Sequence, residues 1–445
     1  MLFDQVYLRT IFFLAYPVVL GMISRTLMTL VDTAMVGRIG PAAVAATGVG
    51  GLVLWIIYSV FFALSVALQS IVSRRYGEKR YDECGQTFNT LWYAAIPFGF
   101  LFTGLGVLFG HHVFPLLIAD QQVIMYGNSY LQVRYLEGIS FLLTMVFRGF
   151  FNGIGKTKIF MSMMIISNIC NVFLNYLLIY GNWGFPRLEV AGAAIATTIS
   201  TYIGLVIFIL YALLPYYRKR YHLFRIKDFN PAILYNLVHL FWPAAVRYLL
   251  VNIGSLMFLK IMGMVGTLEL AATNIVLSIL SLAWMPGYGI GVASAALIGQ
   301  SLGAGNPQRA EQYGWESVKL GIVFMGSLAL LFLICPGFFM RIFTEDPLVI
   351  SHGIKALKIL SVILFLDAIS IVLSESLEGA GQMFFVMCSE ISISWIFCVL
   401  CAYIFSIKYH WGIIGGWLGV AAYSLFFAIL MIYKFKEGSW KEVKV

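Results

Sequence analysis

Apolar residues come in long runs along this chain, and short polar turns punctuate them. A helix that crosses the hydrocarbon core of a bilayer needs about 20 mostly apolar residues. Twelve runs meet that length, at about 9–36, 44–72, 88–110, 122–147, 159–181, 190–215, 234–262, 270–299, 317–340, 350–376, 384–407 and 412–433. Turn chemistry separates them, as in Asn-Trp-Gly-Phe-Pro at 182–186 and Gly-Ala-Gly-Asn-Pro at 303–307. The first run reaches about Val36, too long for a signal-peptide core, and lacks a small-residue cleavage site. It is read as the first membrane helix. The pattern predicts an all-α polytopic membrane protein with 12 transmembrane helices.

The twelve runs fall into two halves that repeat. A shift of 226 residues carries Pro17 to Pro243, Gly37 to Gly263, Gly40 to Gly266 and Ala45-Ala46-Thr47 to Ala271-Ala272-Thr273. The same shift carries Gly77 to Gly303, Gly153 to Gly379 and Gly155 to Gly381. Keeping proline and glycine punctuation in register over so long a stretch marks an internal repeat. Six helices per half is an even number, so both halves cross the membrane in the same sense. A pseudo-two-fold axis along the membrane normal then relates two six-helix bundles, with a cavity between them near the midplane. The expected domains are an N-lobe at 1–215, a basic linker at 216–230, a C-lobe at 231–433 and a tail at 434–445.

Composition agrees with the pattern. Of 445 residues, 61% are hydrophobic and 11% charged, against about 25% charged in soluble domains. Mean hydropathy is +0.89. The six cysteines show no metal spacing, and no metal site is expected. The net charge of +9 is explained by position rather than by nucleic-acid binding. With the N-terminus inside, the inner loops hold Arg74, Arg75, Lys79, Arg80, Arg148, Lys156, Lys158, Arg218, Lys219, Arg220, Arg225, Lys227 and Arg309. The tail adds Lys434, Lys436, Lys441 and Lys444, whereas the outer loops hold chiefly Arg38, Arg187, Arg341 and Lys408. That asymmetry predicts both termini in the cytoplasm; the expected location is a plasma (inner) membrane.

Several segments carry a family likeness. Tyr16–Val49, with its early proline and Val-Asp-Thr followed by Val-Gly-Arg-Ile-Gly, resembles the first helix of the MATE (multidrug and toxic compound extrusion) transporters. Residues 130–140, 148–158, 171–186, 190–200 and 299–311 resemble later helices and loops of that family in order and spacing, so the likeness spans nearly the whole chain. The arginine of Tyr-Leu-Gln-Val-Arg, Arg134, points to the DinF-like branch. The resemblance implies secondary active efflux, by alternating access, of cationic or amphipathic organic compounds in exchange for inward protons or sodium. It implies a monomer that meets membrane lipids and small organic drugs, with no cofactor beyond the coupling ion and no enzymatic activity.

Charges at bilayer depth cost at least about 2.5–3.5 kcal/mol each on insertion scales, so intramembrane ionisable residues are functional candidates. Asp32 in helix one is the first of them; its repeat mate is Phe258, so repeat symmetry does not require an acid there. Asn171 and Asn175, four apart, share a face of helix five, and the resemblance places that pair beside the helix-one acid. Some relatives carry an acid at the second amide position, and Asn175 departs from them, which leaves Asp32 as the main N-lobe acid. Tyr135, Asn152, Thr198 and Arg25 are cavity candidates. Arg134 and Glu137, three apart, form an expected local ion pair. In the C-lobe the acids are Asp367, Glu375, Glu378 and Glu390, with Glu378 expected near a cytoplasmic loop and Arg247 standing where relatives often have an acid. Pro17 is the expected hinge of helix one, since it removes a backbone hydrogen bond.

Two other readings compete. A lipid-linked oligosaccharide flippase of the same superfamily would need a basic cavity for pyrophosphate, for which Arg25 and Arg247 give a foothold. A membrane enzyme would need a clustered catalytic motif such as His-Glu-x-x-His or Gly-x-Ser-x-Gly, and neither occurs.

Overall fold

The computed structural model describes residues 4–443; Lys444 of the basic tail lies outside them. Sixteen α-helices follow one another: α1 (Gln5–Gly37), α2 (Pro41–Gly77), α3 (Tyr81–Phe109), α4 (Val113–Leu117), α5 (Gln121–Tyr135), α6 (Gly138–Gly153), α7 (Thr157–Leu178), α8 (Glu189–Leu213), α9 (Pro215–Tyr221), α10 (Pro231–Val265), α11 (Thr267–Gly303), α12 (Pro307–Ile334), α13 (Pro336–Arg341), α14 (Pro347–Gly379), α15 (Met383–Ser394) and α16 (Gly412–Glu437). There is no strand among the described residues.

Among the described residues, eleven helical segments are long and apolar enough to cross a membrane. The remaining run, 122–147, is covered by α5 and α6, which break between Tyr135 and Gly138. Its repeat mate, α14, runs unbroken over Pro347–Gly379. Several helices outrun their apolar stretches at both ends; α2, for example, begins at Pro41 and ends at Gly77. Proline at the first helical turn, as at Pro41, Pro307 and Pro347, lacks an N–H that would have no intrahelical partner there. Beyond α15 the chain continues in π-helical turns over Trp395–Cys401 and Ile404–Lys408, a form that locally widens a helix.

The 226-residue shift holds at atomic detail. Asp120 caps α5 by accepting hydrogen bonds from Gln122 N at 2.8 Å and Val123 N at 3.1 Å. Asp346 caps α14 by accepting from Leu348 N at 2.8 Å and Val349 N at 3.4 Å. Gly155 (φ 73°) and Gly381 (φ 95°) both take the left-handed conformation that ends α6 and α14, where a side chain would be strained. Each donates its N–H three residues back, Gly155 to Asn152 O at 3.0 Å and Gly381 to Glu378 O at 2.9 Å.

The chain divides into two compact units, Met1–Val19 with Leu240–Val445, and Leu20–His239. Both divisions fall inside continuous helices, α1 and α10, within three residues of Pro17 and Pro243. In the first unit, the start of α1 is core material: Ile11 and Ala15 are buried with Ile290, Leu297, Tyr313 and Leu377. A second cluster around Phe258, Leu280, Leu360 and Trp417 fills the rest.

In the Leu20–His239 unit, stacked rings of Phe147, Phe151 and Phe208 form the centre, with Phe88 and Phe150 beside them. The basic segment 216–230 is docked on α3. Asn89 Nδ2 donates to His222 O at 2.9 Å, Phe224 N donates to Asn89 Oδ1 at 2.7 Å, and Tyr93 OH donates to Phe224 O at 2.7 Å. Gly85 makes room for it, since a side chain there would collide with the carbonyl of Tyr221.

Candidate functional site

Within Leu20–His239, α1, α5, α7 and α8 bring the polar residues of the unit together. The α7 amides Asn168, Asn171 and Asn175 lie at i, i+3 and i+7, one stripe along the helix. That stripe faces the polar positions of α1. Asn168 Nδ2 donates to Ser24 Oγ at 2.6 Å, and Asn175 Nδ2 donates to Asp32 Oδ1 at 2.5 Å. Asn175 Nδ2 is shared with Asn171 Oδ1 at 3.0 Å, and Asn171 Nδ2 donates on to Thr197 Oγ1 of α8 at 3.2 Å. Asn171 and Asn175 are fully buried. The second acceptor of the pair, Asn175 Oδ1, has no hydrogen-bond partner among the described residues. An amide with one face on a carboxylate and one acceptor open can follow a change in that carboxylate's protonation.

A second polar group flanks this one at the break between α5 and α6. Arg134 NH1 donates to Glu137 Oε2 at 2.6 Å, the expected local pair. Thr201 Oγ1 donates to the same carboxylate oxygen at 3.3 Å. Arg134 also lies within electrostatic range of Asp32, so the acid has a basic neighbour that comes from α5 and not from its own helix.

Beside the acid runs a groove of 590 Å³ between α1 and α7, lined by Ser24, Leu27, Met28, Val31, Ile169 and Phe173 among others. Met28 and Met35, also in the groove wall, stand at i−4 and i+3 from Asp32 on the same helix face. Flexible thioethers beside an apolar wall suit ligands of varied shape.

The other residues read from sequence fall elsewhere. Thr198 Oγ1 donates to the backbone carbonyl of Val133 at 3.3 Å, so the helix phase gives the acid network Thr197 instead. Tyr135 is buried at the end of α5, and its ring occupies the space that Gly106 and Gly110 leave open. Asn152 is fully buried near the end of α6, with neither amide atom hydrogen-bonded among the described residues. Arg25 lies over the rings of Trp55 and Phe62. Pro17 sits within continuous α1.

The C-terminal acids are not one cluster. Asp367 Oδ2 accepts from Trp284 Nε1 at 2.9 Å. Glu378 lies in the last turns of α14, 1% exposed, and not in a loop, because Arg247 of α10 draws it inward at 3.0 Å. Arg247 also holds Glu390 of α15 at 2.7 Å. Glu375 lies within electrostatic range of Arg247 and packs against α11 where Gly291 has no side chain. Arg247 is therefore engaged by carboxylates, which removes one of the two guanidiniums that a pyrophosphate site would use. No group of three or more potential metal ligands occurs among the described residues.

Sequence reasoning missed Asn168, which the i, i+3, i+7 spacing on α7 already carries, and Thr197, which only the rotation of α8 separates from Thr198. Nothing local in the sequence points from Asp32 to Arg134, 102 positions along the chain.

Solved transporters share this architecture. The chain is similar to a MOP superfamily transporter from Pyrococcus furiosus, whose binding pocket is described as reversed in polarity (TM-score 0.90, 22% identity, 98% of this chain and 97% of that one). It is also similar to an outward-facing multidrug resistance MATE family transporter (TM-score 0.89, 21% identity, 97% and 95%). Among curated proteins it is 27% identical to the probable multidrug resistance protein NorM of Thermotoga maritima over 436 residues, 96% of this chain and 92% of that one. It is 24% identical to the probable multidrug resistance protein YoeA of Bacillus subtilis over 440 residues, 96% and 93%. The MatE family profile matches residues 17–177 and 243–406, both halves of the repeat in register. With its helices, its repeat and that match in agreement, the chain belongs to the MatE family.

Proposed function

We propose that the chain is a multidrug efflux antiporter that exchanges an amphipathic organic compound for a proton at Asp32, by alternating access. The observation that carries this reading is the hydrogen bond from Asn175 Nδ2 to Asp32 Oδ1, beside an open acceptor on the same amide. Ionised Asp32 accepts from the amide nitrogen. Protonated, it becomes a donor, and a turned amide offers it Oδ1. Proton and cargo thus act on one carboxylate, and their different affinities for its two forms bias the conformations between which the transporter switches. The apolar groove with Met28 and Met35 gives a drug's hydrophobic body a place beside that acid. The multidrug resistance names of its relatives support efflux, and membership in a transporter family leaves no place for an enzymatic reading.

Sodium is the alternative coupling ion. The neutral Asn175 gives the site a single carboxylate, which suits a proton better than a metal cation. Arg134 within Tyr-Leu-Gln-Val-Arg supports a place in the DinF-like branch. The basic loops support cytoplasmic termini in a plasma (inner) membrane, and a monomer suffices because the acid, its amides and the groove all come from one unit of one chain.

The test is dye efflux in everted membrane vesicles under pH and sodium gradients imposed separately. The expected result is transport driven by the pH gradient alone, and protease removal of a C-terminal tag from everted but not right-side-out vesicles. Efflux that follows only sodium would replace the proton, and no gradient-driven efflux would remove the antiport reading.

A further inference from the structure

One end of the Leu20–His239 unit carries cations that the exchange at Asp32 does not use. In the segment 216–230, Arg218, Lys219, Arg225 and Lys227 are exposed, and no side chain among the described residues pairs with any of them. Lys79 of the α2–α3 turn, and Lys156 and Lys158 at the α6–α7 turn, are likewise exposed and unpaired among the described residues. Ring contacts bring the three stretches to one face. Arg220 lies 4.1 Å from the ring centre of Tyr81, at the start of α3, and Tyr217 and Tyr221 meet Phe151 and Phe150 of α6 at 5.5 and 5.3 Å. The acids of this face are already engaged. Glu78 and Glu83 meet Arg75 and Arg80, Asp82 lies 3.1 Å from His222 Nε2, and Asp228 accepts from Asn89 Nδ2 at 3.3 Å.

Orienting a membrane protein takes basic residues on the inner side, but it does not require them to stand unpaired. At the matching end of the other unit, Lys434 pairs with Glu437 at 2.8 Å, Lys441 pairs with Glu311 at 2.7 Å, and Arg309 lies on the ring of Tyr313, with Lys436 left exposed. The 226-residue shift carries Lys79 to Gly305, Lys156 to Gln382 and Lys158 to Phe384, so turns of this kind fold without the charges. The backbone of 216–230 is also tied to α3 through Asn89 and Tyr93, and it cannot carry its like charges apart. Apolar side chains are interleaved with these cations. Tyr216 is 53% and Ile226 69% exposed, and Leu213, Leu214 and Phe229 are exposed beside them. A dissolved anion or a nucleic acid backbone has no use for those groups. An anionic phospholipid has both parts, a phosphodiester for the cations and a glycerol and acyl region for the apolar side chains.

We propose that the segment 216–230, with Lys79, Lys156 and Lys158 beside it, is a docking surface for the phosphodiester headgroups of anionic phospholipids in the leaflet that faces the cytoplasm. The surface is independent of what is pumped and of the coupling ion. It rests on the inward placement of the basic loops, which the protease test of a C-terminal tag judges separately.

The test is a titration of purified full-length protein, in an uncharged detergent, with phosphatidylglycerol and with phosphatidylcholine carrying the same acyl chains and fluorescent label. Binding is read by energy transfer from the protein's tryptophans to the label. Phosphatidylglycerol is expected to bind the more tightly, and its advantage to shrink as added salt screens the charges. Removing a pair of cations, Arg218→Gln with Lys219→Gln or Arg225→Gln with Lys227→Gln, is expected to weaken phosphatidylglycerol binding about fivefold per cation, the scale of one basic side chain at an anionic surface. Lys434→Gln with Lys441→Gln removes the same charge from the other unit and is expected to leave the affinity near the parent's. Arg218→Lys with Arg225→Lys keeps the charge and is expected to keep most of the affinity, which separates lost charge from a folding defect. Equal affinity for the two lipids overturns the proposal, as does a loss in the segment's Gln variants no greater than that in the Lys434 and Lys441 control. Inorganic phosphate that displaces phosphatidylglycerol at equal concentration also overturns it, because the occupant is then a dissolved oxyanion. A C-terminal tag cleaved only in right-side-out vesicles would overturn the inward placement, a result that the titration, having no sidedness, does not share.

Discussion

A carboxylate at bilayer depth is held by a cation, by donors or by a proton, and Asp32 has the means for each. Asn175 Nδ2 donates to it at 2.5 Å, and Arg134 stands within electrostatic range. Replacing the acid by its amide keeps shape and most hydrogen-bonding capacity while removing the ionisable proton. Asp32→Asn is therefore expected to express and bind drug but to lose pH-driven efflux, measured with dye in everted vesicles and a blot for expression. Asn175→Leu leaves the acid titratable but removes its donor, and should weaken coupled transport roughly tenfold, the scale of one hydrogen bond to a charged group. Parent-like pH-driven efflux by a well-expressed Asp32→Asn variant would move the coupling site to Asp367, Glu375 or Glu378. At this scale the sequence reveals what local spacing encodes. Asn171 and Asn175 share a face because they are four apart, and Asp32 stands out as a lone charge in an apolar run. Thr197 in place of Thr198 could not be read, because adjacent residues differ by about 100° around a helix and only tertiary packing sets the phase.

The elements themselves were legible because a membrane helix is a long apolar run, and eleven of the twelve runs return as spans. The break between α5 and α6 was not, since Arg134–Glu137 reads in sequence as an ordinary i, i+3 pair. The tie among α10, α14 and α15 was equally hidden: Arg247 meets Glu378 and Glu390, 131 and 143 residues onward. Their exposures of 6%, 1% and 8% leave almost no water to replace a lost partner. Arg247→Met should therefore cost about 3–5 kcal/mol, because it strands buried carboxylates. Thermal unfolding of detergent-purified protein should show a lowered midpoint, and Arg247→Met combined with Glu378→Gln and Glu390→Gln should recover part of it. A single Arg247→Met variant that melts with the parent would mean the pair is energetically idle.

At the scale of the molecule, the units and the repeat do not share their boundaries. The repeat divides the sequence between its sixth and seventh helices, whereas the compact units divide inside α1 and α10, at Val19/Leu20 and His239/Leu240. Two helices therefore each belong to both units, and each carries a proline close to its division, Pro17 and Pro243, one repeat apart. A proline in a helix interior removes the hydrogen bond to the carbonyl four residues back, that of Phe13 or of His239, and lowers the resistance to bending at that turn. The chain passes from one unit to the other only within these two helices, so under the proposed alternating access their stiffness there bears on turnover. Restoring the missing donor stiffens the helix without touching Asp32 or its amides. Pro17→Ala and Pro243→Ala are thus expected to leave folding yield and drug affinity near the parent's while lowering turnover, and the double variant should be slower than either. The measurements are drug binding by fluorescence anisotropy and efflux rate at saturating drug in proteoliposomes. Turnover equal to the parent's in the double variant would show that neither proline is a hinge, and the conformational change would then be borne by the loops.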